Sequence, residues 1–264
     1  MDFNNKVIWI TGASSGIGKG LAMALAKLNT QLILSSRNET SLMLVKEACE
    51  NKENIAVLPL DLALLDQMPL KASEALKFFG RVDVVIHNGG VSQRALVKDT
   101  LVSVDERLMR VNYLGTVALT KAILPHFTTH KKGHFIVVTS VVGTVATPLR
   151  SSYAASKHAL HGFFDSLRAE IYQENIQVTL VCPGFVKTQV SMNSLTGDGS
   201  PQKKMDTATE NGLSVERFVS CFLRKMKHNP AEIVIGGFKE KLVVYLKRFF
   251  PTIVRRVMRK IKVV

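Results

Sequence analysis

The chain has 264 residues, 46% hydrophobic and 21% charged, with a formal net charge of +14. This composition excludes a disordered chain, and the length suits one large domain. No run reaches the ~18 uninterrupted apolar residues of a membrane span, and Met1-Asp2-Phe3-Asn4-Asn5-Lys6 lacks the basic stretch and apolar core of a secretory signal. Cys49, Cys182 and Cys221 are widely spaced and odd in number. No metal site is expected from them, and reduced structural thiols in a cytoplasmic setting are.

Short β-branched runs at 7–11, 31–35, 55–60, 82–87, 134–139, 177–182 and 233–235 predict seven strands. Their near-continuous apolar character suits parallel strands covered on both faces. Helical periodicity fills the intervals 16–28, 39–51, 65–79, 104–127, 152–174 and 215–227. Strand–helix alternation along the whole chain predicts a doubly wound α/β fold with a seven-stranded parallel sheet. One stretch departs from it. Residues 189–212 are rich in Ser, Thr, Gly, Asp and Asn and carry Lys203-Lys204. A long polar insertion in a compact domain is expected to be a lid or a surface loop, and its place after Pro183-Gly184 favours a substrate lid.

The first strand ends in Thr11-Gly12-Ala13-Ser14-Ser15-Gly16-Ile17-Gly18, directly ahead of a helix. Glycines at this spacing permit a tight turn, close approach to a pyrophosphate and close helix–strand packing, while the helix N-terminus attracts phosphate. The expected fold is therefore of the Rossmann type, with a dinucleotide as cofactor. Arg37 follows the second strand, where an acid would bind a ribose 2′-hydroxyl and an arginine accommodates a 2′-phosphate. This predicts NADP(H). Asp61 and Leu62 after the third strand, and Asn88, Gly89 and Gly90 after the fourth, fall at the same carboxyl edge. Asp61 is placed to accept from an adenine amino group.

Tyr153 and Lys157 are four apart, on one face of a helix, and Ser140 and Asn112 precede them. With these residues the chain resembles the short-chain dehydrogenase/reductase family from about Lys6 to Gly237. Thr11–Gly18 is similar to the family's cofactor motif and Asn88-Gly89-Gly90 to its Asn-Ala-Gly segment, with His87 and Gly89 departing from the usual residues. Pro183, Gly184, Val186 and Thr188 resemble its nicotinamide-side motif. The resemblance implies a catalytic tetrad of Asn112, Ser140, Tyr153 and Lys157, with Asn112 holding a water in a proton relay and Lys157 also holding the nicotinamide ribose. It further implies cofactor contacts at Gly12, Ser14, Ser15, Gly16, Ile17, Gly18 and the strand-end residues named above. Within the family, Gly90-Val91-Ser92-Gln93-Arg94 and Asp198-Gly199-Ser200 look most like the dehydrogenase/reductase member 7 branch, especially its 7B-type members. Relatives of that branch act on lipophilic carbonyls, and a homodimer or homotetramer is the family habit.

The implied chemistry moves a hydride to a carbonyl carbon and a proton from Tyr153 to its oxygen. A free tyrosine titrates near 10, and lowering it three units takes about 4 kcal/mol. A Lys157 ammonium at ~6 Å and effective dielectric ~20 supplies roughly 3 kcal/mol. A second positive charge, on the oxidised cofactor, is therefore expected to share the task. Ser140 would bind the substrate oxygen. Val141, Val142 and Phe185 are expected around the substrate, and His87 is expected to be a hydrogen-bonded strand-end residue. The alternative function is a non-catalytic NADP(H)-sensing protein on the same fold.

Residues 239–264 stand apart, with nine Lys or Arg against Glu240, a net +8 of the chain's +14. Leu242, Leu246, Phe249, Phe250, Ile253, Val257 and Ile261 recur at helical spacing, and Pro251 predicts a break between two helices. Two expectations stay open for this tail: peripheral membrane contact and packing on a second protomer. With no reader motif, nucleic acid is not an expected partner. The expected organisation is 1–238 as catalytic domain, including the lid, and 239–264 as basic helical tail.

Overall fold

Five consecutive buried residues make up β1, Val7–Thr11, and six make up β5, Gly133–Val138. Strands buried on both faces belong inside a sheet with helices on each side. The computed structural model describes residues 1–259 and 261 and has that architecture. Seven parallel strands lie in the order β3-β2-β1-β4-β5-β6-β7. The others are β2 Gln31–Ser35, β3 Ile55–Val57, β4 Val84–His87, β6 Ile176–Pro183 and β7 Glu232–Ile235. The helices are α1 Gly16–Leu25, α2 Glu39–Glu47, α3 Met68–Phe79, α4 Val102–Met109, α5 Gly115–His130, α6 Ser151–Glu170, the single turn α7 Thr207–Glu210, α8 Val215–Met226, α9 Phe238–Phe249 and α10 Pro251–Met258.

Alternation along β1 divides the interior. Ile8 and Ile10 join one core with Leu21 of α1, Leu42 of α2 and Phe218 of α8. Val7 and Trp9 join the other with Ala72 of α3, Ile123 of α5 and Phe164 of α6. The chain runs outward from β1 to β3 and then returns to place β4 beside β1. Connections leaving β1 and β4 therefore diverge, and a crevice opens at the strands' carboxyl ends.

The doubly wound α/β fold expected from the strand–helix alternation is the one observed. Local differences have local causes. The single helix expected over 104–127 is α4 and α5 joined by a π-helical turn, Arg110–Leu114. Gly115 follows it so closely against Leu62 that a Cβ there would lie 2.2 Å from the Leu62 carbonyl oxygen. The third strand is shorter than expected: beyond Val57, Leu58 and Leu60 are buried and donate singly to Leu34 O at 2.9 Å and Ser36 O at 3.0 Å. In the tail, Pro251 opens α10, as its missing N–H allows. Val254 of α10 is buried, whereas Phe238, Phe249, Phe250, Ile253 and Val257 are exposed. Two of the tail's basic residues, Lys260 and Lys262, lie outside the described residues.

Two histidines sit inside the cores. Thr120 donates its hydroxyl proton to Thr116 O at 2.8 Å, so it accepts from His87 Nε2 at 3.0 Å. Thr179 donates to Pro230 O at 2.6 Å and accepts from His134 Nε2 at 2.9 Å. Each ring leaves a buried Nδ1 without a partner among the described residues. A bare lone pair is tolerable there, but a second proton is not. Burial accordingly pushes His87 down to about 3 and His134 down to about 4.

In the unfolded chain both titrate near 6.5. With the folded values depressed, stability is full above about pH 6.5 and falls as the pH drops toward about 4. Urea unfolding should lose more than about 1 kcal/mol between about pH 7 and about pH 5. A flat profile across that window would contradict the neutral buried tautomers.

Candidate active site

Gly12 adopts φ +64° at the end of β1. A Cβ there would lie 2.7 Å from Gly89 Cα, and one on Gly18 would lie 2.2 Å from Gly12 O. No other residue fits either position, because backbone fills the space. Asn88 Nδ2 donates to Thr11 O and Gly12 O, both at 3.1 Å. Thr11 Oγ1 in turn accepts from the N–H groups of Asn88 at 3.1 Å and Gly89 at 3.0 Å. The Asn88 side chain thus ties the end of β4 to the glycine turn.

Ser15 precedes α1 without a side-chain cap, and no acid lies in the first turn. The helix therefore presents unpaired N–H groups and its positive dipole to an anion. Ser14, Ser15, Gly16 and Ile17 line a cavity of about 630 Å³ that begins there and follows the carboxyl edge. This cradle fits a dinucleotide. Its pyrophosphate would sit on the α1 N-terminus.

The remaining walls come from successive strand ends. Arg37 follows β2; Asp61 and Leu62 follow β3; Asn88 and Gly90 follow β4; Ser140 follows β5. Pro183 ends β6, and Gly184, Val186 and Thr188 come after it. Tyr153 and Lys157 line the same cavity from α6. Gly18 lies off the wall, packed on the glycine turn. Asp61 Oδ1 accepts from Ala63 N at 2.9 Å, which orients the carboxylate at the strand end.

Asn112 is fully buried in the π-helical turn. Its Oδ1 accepts from Val91 N at 2.8 Å, and its Nδ2 donates to Val91 O at 2.9 Å and Ser156 Oγ at 3.0 Å. The side chain therefore fixes the chain beyond Gly90, off the cavity wall. A Cβ on Gly90 would lie 3.0 Å from Asn112 Oδ1 and 3.7 Å from Lys157 Nζ. A side chain at that position would crowd both Asn112 and Lys157.

Lys157 Nζ donates to Val138 O at 2.9 Å and lies 6.0 Å from the centre of the Tyr153 ring. Burial pushes its ammonium down to about 8. Behind it, Thr139 Oγ1 donates to Val181 O at 3.0 Å and accepts from His161 Nε2 at 3.1 Å. Burial pushes His161 down to about 4 and the Cys182 thiol up to about 12, so both are neutral near pH 7. Ser140 Oγ accepts from Val142 N at 3.1 Å. Its hydroxyl proton remains available to an oxygen in the cavity.

Three residues expected around the substrate stand elsewhere. Val141 and Val142 are buried in a short 3₁₀ turn, and the Phe185 ring lies under the Arg150 guanidinium, 5.3 Å from centroid to Cζ. None of the three is on the cavity wall. That wall is formed instead by Val91 and, from the 189–212 segment, by Val190, Leu195 and Pro201. The polar composition of that segment pointed to the region but concealed its few inward apolar residues.

Residues 6–198 match the family model of the short chain dehydrogenases. A Dehydrogenase/reductase SDR family protein 7-like of Drosophila melanogaster is 41% identical over 97% of this chain and 80% of its own length. Dehydrogenase/reductase SDR family member 7B of Xenopus tropicalis is 40% identical over 94% and 82%, and member 7 of Homo sapiens is 40% identical over 95% and 76%. Among solved structures, a short-chain dehydrogenase/reductase from Burkholderia phymatum in complex with NAD superposes with a TM-score of 0.83 at 21% identity, covering 96% of both chains. One from Burkholderia cenocepacia in complex with NADP gives 0.80 at 21%, covering 98% of this chain and 99% of that one.

The chain belongs to the short-chain dehydrogenase/reductase family, whose members transfer hydride with a nicotinamide dinucleotide. Within the family its place is the member 7 and 7B branch.

With Lys157 pushed down to about 8, its ammonium is lost as the pH rises through that value. Dinucleotide affinity, followed by NADPH fluorescence, should weaken as pH rises through about 8. Lys157→Met should flatten that profile. A wild-type affinity unchanged between about pH 7 and about pH 9.5 would contradict a role for the ammonium in binding.

Proposed function

We propose that the protein is an NADP(H)-linked carbonyl reductase, or secondary-alcohol dehydrogenase in reverse, acting on a lipophilic substrate. The observation that carries this reading is the convergence of Ser140, Tyr153 and Lys157 on one cavity that starts at the α1 N-terminus. When bound, the nicotinamide supplies or accepts the hydride. The Tyr153 hydroxyl gives its proton to the carbonyl oxygen as the new C–H bond forms, and takes it back in the reverse direction. Ser140, already accepting from Val142 N, donates to the same oxygen. The Lys157 ammonium lowers the cost of the phenolate.

The preference for NADP(H) is supported by Arg37, exposed at the cavity margin with Ser36 and Asn38 and no acid at the strand end. A guanidinium there can fork around a 2′-phosphate. The lipophilic substrate is supported by Val91 and Tyr153, which pack with Leu195 of the lid against Val104 and Leu108 of α4. Leu195, Val190 and Pro201 bring the 189–212 segment over the cavity as its lid.

NADPH oxidation across aliphatic, steroid, retinoid and glycerolipid ketones tests the reading. Tyr153→Phe should keep NADPH affinity within about threefold and lose at least about 10²-fold in kcat. Arg37→Asp should weaken NADPH at least about tenfold and leave NADH within about threefold. Turnover by the phenylalanine variant, or equal affinities for both cofactors in both proteins, would overturn those assignments. Tight NADPH binding with no turnover on any ketone would favour a cofactor sensor.

The tail is proposed to rest on an anionic membrane surface. Its exposed Phe249, Phe250, Ile253 and Val257 lie among basic residues, the combination that interfacial helices use. The whole chain should float with vesicles containing about 30% phosphatidylserine, and removal of residues 239–264 should abolish it. Equal flotation of both would assign the tail to protein packing.

A further inference from the structure

The tripeptide Ser92-Gln93-Arg94 leaves the cofactor-side turn at 88–90 and is held in three directions. Its backbone pairs with the lid: Arg94 N donates to Leu195 O at 2.8 Å, and Leu195 N donates to Ser92 O at 2.9 Å. Its middle side chain enters the start of α6. Gln93 is fully buried, and its Oε1 accepts from Ser152 N at 2.9 Å and Tyr153 N at 3.3 Å. Its Nε2 donates to Thr100 Oγ1 at 3.2 Å and Ser151 Oγ at 3.4 Å. Arg150, at the usual capping position of α6, makes no side-chain cap. Gln93 therefore does from a distant segment what a local Ser or Asp does in most helices.

The third attachment is ionic. Arg94 Nε donates to Asp206 Oδ2 at 2.7 Å, and its terminal nitrogen NH1 donates to Ser92 Oγ at 2.8 Å and Gln93 O at 2.6 Å. Asp206 stands near the end of the lid segment and has no exposed surface. Its carboxylate also accepts from Ser191 Oγ at 3.0 Å and Gln202 Nε2 at 2.9 Å, with an Arg150 terminal nitrogen 3.7 Å away. Both ends of the lid and the first residue before α6 thus meet on one buried acid.

We propose that Gln93 is a positioning residue for Tyr153, and that the Arg94–Asp206 pair couples the lid to that position through the same tripeptide. The inference rests on the proton-donor reading of Tyr153. Tyr153 is the third residue of α6 and lies in the turn most prone to fraying. Holding its own N–H and that of Ser152 fixes the turn that aims the phenol. A misplacement of about 1 Å at a reacting group can lower a rate about 10²-fold without changing what binds.

The test compares Gln93→Leu, which removes the acceptor, with Gln93→Glu, which keeps one and places it favourably at a helix N-terminus. With NADPH and the best ketone of the screen, Gln93→Leu should lower kcat at least about tenfold while NADPH affinity and ketone KM stay within about twofold. Gln93→Glu should recover at least about a third of wild-type kcat. Equal kcat losses in the two variants, or a loss confined to KM, would overturn the positioning role. Backbone amide exchange needs neither substrate nor turnover. In the NADPH-bound protein, Asp206→Asn should speed exchange over residues 151–156, and unchanged exchange would overturn the coupling. If wild type turns over no ketone, the proton-donor reading fails while the exchange result still decides whether the lid acid orders this turn.

Discussion

Burial of the sheet on both faces is the constraint from which the rest follows. β1 and β5 expose no residue on either face, so their main-chain polar groups pair chiefly with neighbouring strands, and side chains reach them at the strand ends, Asp83 at Val7 N, Asn88 at Thr11 O and Lys157 at Val138 O. Polar chemistry is thereby displaced to the ends of the strands. At the carboxyl end, the reversal of strand order between β1 and β4 leaves a crevice that backbone cannot fill. Residues as far apart as Arg37, Asn88, Ser140 and Thr188 share one cavity because each follows a strand of the same sheet. The Thr11–Asn88 network then holds the two diverging connections at a fixed separation.

The Tyr153–Lys157 pair depends on the same burial. Lys157 is withdrawn from water with one protein acceptor, Val138 O, and its ammonium is pushed down to about 8. The same desolvation reduces the screening between Lys157 and the phenol nearby. The ammonium lies 6.0 Å from the centre of the Tyr153 ring. Neutral His161 and Cys182 place no competing charge behind it. In the proposed reaction, cofactor binding and proton transfer would be linked, because an oxidised nicotinamide would contribute a further positive charge.

The 189–212 segment is ordered by turn and loop hydrogen bonds, among them Gln202 N to Ser194 O at 2.8 Å and Lys203 N to Met192 O at 2.9 Å. Its single helical turn, Thr207–Glu210, and isolated bridges at Leu195 supply little regular hydrogen bonding. Asp206 adds a buried side-chain anchor, with Arg94, Ser191 and Gln202 as direct partners. Breaking such a buried pair by removing one partner is far more damaging than the pair's net contribution suggests, since an unpaired charge remains. Val190, Leu195 and Pro201 of this segment line the cavity.

Much of this was legible in the chain itself. Parallel strands covered on both faces read as unbroken apolar runs, and ligand residues fall directly after them, so the sheet, the glycine turn and the strand-end residues could be placed by number. Tyr153 and Lys157 were legible because helical spacing puts them on one face. The π-helical turn at Asn112 was not, since it interrupts no apolar periodicity and depends on Gly115 reaching Leu62. Val141, Val142 and Phe185 were close to the site in sequence, yet turns carried them off its wall. Gln93 capping a helix 59 residues away, and Arg94 meeting an acid 112 residues away, left no periodic trace. Sequence determined the sheet and the chemistry at its edge because those follow from local pattern. Tertiary structure alone decided how the edge is aimed and covered, because those contacts arise only when distant segments are packed together.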